Sequence, residues 1–164
     1  MKLPTFSCLQ AGAERLALAL VLALLVVPGY VVAPVLFAHA GSSHLAGMLA
    51  GHVFHVGNVA ILLLLMAVAG FWWRMGARRI AWLLLLSVAV LVGINEFGIT
   101  PVINHLKATL GPIDALPHGD PGRARFGMWH GISELLYMLA GFMAALLVVR
   151  GDTNRAREGG GCNR

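Results

Sequence analysis

Residues 53–73 read VFHVGNVAILLLLMAVAGFWW, a run without a single Asp, Glu, Lys or Arg. A helix of roughly 20 residues crosses a hydrocarbon core about 30 Å thick, so the run has the length and the chemistry to span a bilayer. The strict apolar/polar alternation of a barrel strand is absent, and an open-edged strand would leave its backbone groups unsatisfied in lipid. Only a helix fits. Working outward, residues 16–38, 80–103 and 126–149 repeat the pattern. Together they predict an all-α polytopic membrane protein built as a four-helix transmembrane bundle.

The composition agrees. Of the 164 residues, 59% are hydrophobic and 12% are charged, and a water-soluble fold of this size has too little interior to bury so much apolar chain. Twelve Lys and Arg against seven Asp and Glu give a net charge of +5. The basic residues sit at the ends of apolar blocks and form no continuous patch, so the expected partner is the lipid bilayer and not nucleic acid. Cys8 and Cys162 lie near opposite ends of the chain and indicate no disulfide framework. The expected organisation is an N-terminal segment over residues 1–15, a membrane domain over 16–150 and a polar, disordered tail over 151–164.

The first block resembles a signal peptide only superficially. Residues 16–27 would serve as its apolar region, but residues 28–40 would then be an overlong, apolar cleavage region containing Val31, Val32, Leu36 and Phe37, so a retained span is expected. Within it Pro28 lacks an N–H and Gly29 is permissive, which predicts a kink near mid-span.

Basic residues between spans set the orientation. Lys2, Arg15, Arg74, Arg78, Arg79, Arg150, Arg155, Arg157 and Arg164 fall on one side; Lys107, Arg123 and Arg125 fall on the other. Both termini are therefore expected in the cytoplasm, in a bacterial-type inner membrane if the chain is prokaryotic. Trp72, Trp73 and Trp82 are expected at the inner headgroup boundary and Trp129 at the outer one. Residues 104–125, rich in Pro, Gly and Asp turn signals, should form a mostly irregular outer loop. No internal repeat supports an inverted-repeat transporter.

On this topology every histidine (His39, His44, His52, His55, His105, His118 and His130) falls in the outer loops or outer portions of spans. Glu96 and Glu134 join them in depth, and ionisable groups in lipid are functional candidates by default. At 3.6 residues per turn, one stripe of span four carries Gly127, His130, Gly131, Glu134, Tyr137, Met138 and Gly141. Span two aligns Gly47, Gly51, His55 and Asn58, and span three aligns Gly93, Glu96 and Thr100. Gly47/Gly51 and Gly127/Gly131 have the G-x-x-x-G spacing that lets helix backbones approach closely.

Three readings of this polar set stay open. His55, Glu96, His130 and Glu134 carry the donor types of a divalent metal site, or of a site that binds or passes a cation or proton. His52 or His55 facing His130 could instead supply the two axial nitrogens of a b-type haem in electron transfer. Or the polar groups only satisfy one another, in a structural or partner-binding membrane subunit. The sequence names no cofactor and no oligomeric state. Ser87 and Ser133 lie inside spans without the signature of an activated nucleophile, and phosphate-loop, dinucleotide and paired-cysteine motifs are absent, so no enzymatic activity is expected.

Residues 29–37 (GYVVAPVLF), residues 46–51 (AGMLAG) with Phe54, and Phe126 with His130-Gly131-Ile132-Ser133 resemble the family of small membrane proteins typified by transmembrane protein 205. Pro101, after the Asn95-Glu96 pair, is similar to the end of that family's third span. The resemblance covers most of residues 16–149 and implies a four-span membrane protein whose activity is not established; its eukaryotic members' link to platinum-drug resistance hints at metal or small-molecule handling. The chain departs from the pattern at Glu134, where the family's His-Gly-x-Ser-Ser motif has its second serine, and at His52 and His55. The resemblance therefore implies His130 and Ser133 as shared features and leaves the wider His/Glu set particular to this chain.

Overall fold

The computed structural model describes residues 6–150, with side chains from residue 10 onward. The expected disorder of residues 151–164, as well as Cys8 and Cys162, lies outside the described side chains. Among the described residues six α-helices follow in order: α1 (Phe6–Val27), α2 (Ala33–His39), α3 (Ser43–Met75), α4 (Arg79–Gly93), α5 (Thr100–Leu110) and α6 (Pro121–Arg150). They build four spans, Gln10–His39, Ser43–Met75, Arg79–Leu110 and Pro121–Arg150, each long and apolar enough to cross a membrane. No strand occurs among the described residues. The molecule is an all-α, multi-pass membrane protein.

Spans one and three are each made of two α-helices joined by a π-helical turn. In span one the turn is Pro28–Val32 and ends with Ala33 N–H bonded to the Pro28 carbonyl; in span three it is Ile94–Ile99 and ends with Thr100 N–H bonded to the Asn95 carbonyl. Where a kink is expected at Pro28-Gly29, the structure has a wide turn with right-handed helical dihedrals at both flanks. A proline follows each turn closely, Pro34 in span one and Pro101 in span three. A helical proline cannot donate a backbone hydrogen bond and crowds the carbonyl four residues back, a conflict that a wider turn relieves.

The connections are shorter than the sequence suggests. Residues 104–125, expected to be mostly irregular, are helical up to Leu110 and again from Pro121. Ile103 and Leu106 are buried and carry the helix past the apolar block. Gly111, at φ +70°, closes α5, and Asp120 caps α6, its Oδ1 accepting from the N–H groups of Gly122 (2.7 Å) and Arg123 (3.2 Å). Gly76, at φ +76°, likewise closes α3.

Short connections make consecutive spans antiparallel, so the bundle has a terminal end, where α1 begins and α6 finishes, and a loop end. The apolar core occupies the terminal half, with Leu18, Val21, Leu25, Ile61, Leu65, Val68, Trp72, Leu85, Val88, Val92, Ala140, Ala144 and Leu147. Leu63, Leu83, Phe97, Leu135 and Val149 are exposed on the outside, as lipid-facing positions should be. Trp73 points outward, but Trp72 departs from the expected headgroup anchor. It is buried, donates from Nε1 to Glu14 Oε1 (2.9 Å) and meets Trp82 edge-on at 5.8 Å.

Candidate functional site

In the loop half polar side chains join the buried residues. The π-turn of span three carries Asn95 and Glu96 into the bundle, where they are 3% and 6% exposed. Glu96 Oε1 faces His55 Nδ1 at 2.5 Å, and Glu96 Oε2 accepts from Asn58 Nδ2 at 2.6 Å. His55 and Asn58 lie one helical turn apart on α3, which lets one carboxylate engage both. The Tyr137 hydroxyl of α6 donates to Asn58 Oδ1, so the chain His55, Glu96, Asn58, Tyr137 ties spans two, three and four together. Phe54 packs edge-on against the Tyr137 ring at 5.2 Å and holds it toward the network.

Beside this network lies a cleft of about 940 Å³. Its polar lining includes His55, Asn58, Asn95, His130, Glu134 and Tyr137, with His44, Lys107 and Asp114 toward the loop end. The Lys107 ammonium donates to the Gly47 carbonyl (3.1 Å). His130 Nε2 and Glu134 Oε1 form their own i, i+4 pair at 3.2 Å, both side chains more than half exposed, and the imidazole stacks on Phe126 with centroids 5.7 Å apart.

The four candidate ligands therefore come together as two pairs. His55 meets Glu96 in the bundle, and His130 meets Glu134 on the α6 wall. Among the described residues no three His, Cys, Asp or Glu side chains gather where they could hold one metal ion. The expected four-residue metal set is not assembled: Glu96 is engaged by His55 and Asn58, and Glu134 pairs with His130 one turn away on its own helix. Of the haem candidates, His55 and His130 line the cleft, whereas exposed His52 bonds through Nδ1 to the Met48 carbonyl of its own helix (2.9 Å).

The glycine spacings need a different explanation from the expected one. A Cβ added at Gly51, Gly127 or Gly131 meets nothing within 4 Å, and one at Gly47 reaches only the tips of Lys107 and Phe37. No helix presses on them. Gly47 and Gly51 line the cleft, where a missing side chain leaves room. Close packing falls to alanines at the same spacing, Ala46/Ala50 on α3 and Ala140/Ala144 on α6, all buried.

Asn58 and Tyr137 lie on the expected stripes, and the structure adds both to the site together with Asn95 and Lys107; Glu14, at the terminal end, is the other buried polar residue without an expected role. The i, i+3 steps from His55 to Asn58 and from Glu134 to Tyr137 were the available signal. Glu14 gave none, since it precedes the apolar block.

Fold and site together define a four-span integral membrane protein with a polar cleft in one half of its bundle. A family model described as a domain of unknown function, DUF4149, matches residues 16–111, and the chain belongs to that family. The matched segment contains His55, Asn58, Asn95 and Glu96 and stops before α6. No curated protein and no solved structure matches the chain.

Proposed function

We propose that the protein is a non-enzymatic membrane protein that binds a cation from the loop side of the bundle at the His55–Glu96 pair, in exchange for a proton. The observation that carries this is the burial of the Glu96 side chain, 5% exposed, against a half-open imidazole at the edge of the cleft. A carboxylate held in a membrane interior is costly and favours a compensating positive charge, whether a proton, an imidazolium or a bound cation. Ser87 bonds the Leu83 carbonyl of its own helix (2.7 Å), the usual arrangement of a serine inside a helix. The same proposal takes the loop end as extracytoplasmic, on the bias of Lys and Arg, and takes the family as kin to transmembrane protein 205, on the motifs at residues 29–37, 46–51 and 130–133.

A structural role is the competing reading, favoured by the engagement of both Glu96 oxygens within the network. Proton release separates the two. Protein in lipid nanodiscs, in weakly buffered solution, is titrated with sodium, magnesium or methylammonium while a pH-sensitive dye is followed. Wild type should release protons to at least one of these. Glu96→Gln, whose amide can still bond His55 and Asn58, should keep its thermal stability and release none. Equal release from Glu96→Gln, or none from wild type, would overturn the proposal and leave the structural role.

A further inference from the structure

The cleft is far larger than an inorganic cation requires and falls within the range of small-molecule sites, roughly 300–1,000 Å³. Six aromatic rings line it: Tyr30, Phe37, Phe54, Phe126, Tyr137 and Phe142. Such faces attract a cation through their quadrupoles and pack against hydrocarbon equally well. Along α6 the carboxylate of Glu134 faces the cleft one helical turn from Tyr137. Asn95, 3% exposed, is among the lining residues, and its buried Oδ1 has no hydrogen-bond partner among the described residues. A buried acceptor without a donor is destabilising, and a ligand that brings an N–H or O–H removes that cost.

The competing ligand charges fit less well. An anion would meet Glu134 and Asp114 in the lining with the Glu96 carboxylate behind them. The one lysine in that lining, Lys107, lies twelve residues beyond Asn95, about 18 Å along the span, and is engaged by Gly47. A lipid acyl chain would fill the apolar walls but offer nothing to Asn95. The side of the cleft is also open to a membrane-dissolved ligand. Whereas α1 packs on both α3 and α6, α2 packs chiefly on α3, so the walls that spans one and four give the cleft stand apart toward the loop end.

We propose that the cleft binds a lipophilic primary or secondary ammonium compound. Its N–H groups are donated to Asn95, its charge is balanced by Glu134 with Glu96 behind, and its hydrocarbon or aryl body lies between the aromatic rings. This names the class of cation for the site proposed above and rests on that reading.

The test is binding of tritiated dodecylammonium to the protein in phosphatidylcholine nanodiscs, with empty nanodiscs subtracted. Binding should saturate. Dodecyltrimethylammonium, which keeps the charge and lacks N–H, should compete about tenfold more weakly, the size of one lost charge-assisted hydrogen bond, and dodecanol and laurate more weakly still. Asn95→Leu should erase the preference for the primary ammonium. Glu134→Gln should weaken both ammonium ligands alike. Gly51→Leu, where an added Cβ meets nothing within 4 Å, should narrow the cleft beside His55 and weaken binding at unchanged thermal stability.

The ligand comparison needs only wild-type protein, so a variant that fails to fold does not shelter the proposal. Dodecanol competing as well as dodecylammonium would overturn it and mark a groove for lipid chains. Undiminished binding by stably folded Gly51→Leu would overturn it too. If dodecylammonium fails to bind while small cations still release protons through Glu96, this proposal falls and the cation site stands. If it binds as described while proton release is unchanged in Glu96→Gln, the exchange at Glu96 falls and the ligand class stands.

Discussion

In the terminal half, Leu18, Val21, Ile61, Leu65, Leu85 and Val88 are each at most 2% exposed and interlock without a polar atom among their side chains; in the loop half, the most enclosed side chains include Asn58, Asn95 and Glu96. Lipid is as apolar as leucine, so the first arrangement gains little from sequestering apolar surface and depends on close packing. The second depends on hydrogen bonds that lipid cannot replace. The two π-turns, Pro28–Val32 and Ile94–Ile99, belong to the second half only, and each contributes to the cleft, Gly29 and Tyr30 from one and Asn95 from the other. Regular helices close one end of the bundle, and interrupted ones hold the other end open. The difference teaches that backbone irregularity at membrane depth is placed where it lines a cavity.

The sharpest way to break this comparison is to remove packing from the closed half. Ile61 is fully buried, and Ile61→Ala should lower stability by about 2–5 kcal/mol. Phe126→Ala, on the cleft wall, should cost far less even though it deletes more atoms, because its ring already borders open space. Unfolding of both variants in the same detergent or bicelle measures this. Equal losses would mean that the halves are packed alike.

Next in size is a buried polar contact in the closed half. Trp72→Phe keeps the ring against Trp82 but removes the donor to Glu14, which is itself 8% exposed. Withdrawing one hydrogen bond from a buried carboxylate should cost about 1–3 kcal/mol. Adding Glu14→Gln to Trp72→Phe should restore part of the loss, since a neutral amide tolerates the missing donor better. A Trp72→Phe protein as stable as wild type would show that this end does not rely on the contact.

These two sites also show what the sequence made legible. The four spans could be read because a bilayer imposes a length and an apolar composition that no local detail disguises. The pair of His130 and Glu134 could be read because i, i+4 spacing is fixed by the helix itself. The link from His55 to Glu96 could not, since residues 41 positions apart meet only through the relative rotation of α3 and span three. Trp72 resembles any indole at a span end until Glu14, upstream of the apolar block, is seen beneath it. The π-turn at Ile94–Ile99 had a visible cause in Pro101, which stood out only through its similarity to the end of another family's third span.

A smaller effect is expected at the mouth of the open half. Asp120 caps α6 through two backbone N–H groups, and Asp120→Ala should cost about 1 kcal/mol. Asp120→Asn should recover most of it. The relevant measurement is amide exchange in the first turn of α6, which should quicken in Asp120→Ala alone, while amides of the closed core keep their protection.

The smallest expected effect separates two explanations of the glycines. If Gly127 and Gly131 let helices approach closely, a methyl group there must push two backbones apart. A Cβ at Gly131 meets nothing within 4 Å, so Gly131→Ala should leave stability unchanged or raise it, by at most about 1 kcal/mol, through alanine's better helix propensity. Ala144, 1% exposed on the same helix at the closed end, offers the contrast. Ala144→Val adds two methyl groups where there is no free space and should cost about 1–3 kcal/mol by overpacking. A destabilised Gly131→Ala beside a tolerant Ala144→Val would reverse the assignment of open and closed halves; the opposite order places close helix contact at the alanines and leaves the glycines as the residues that keep the loop half open.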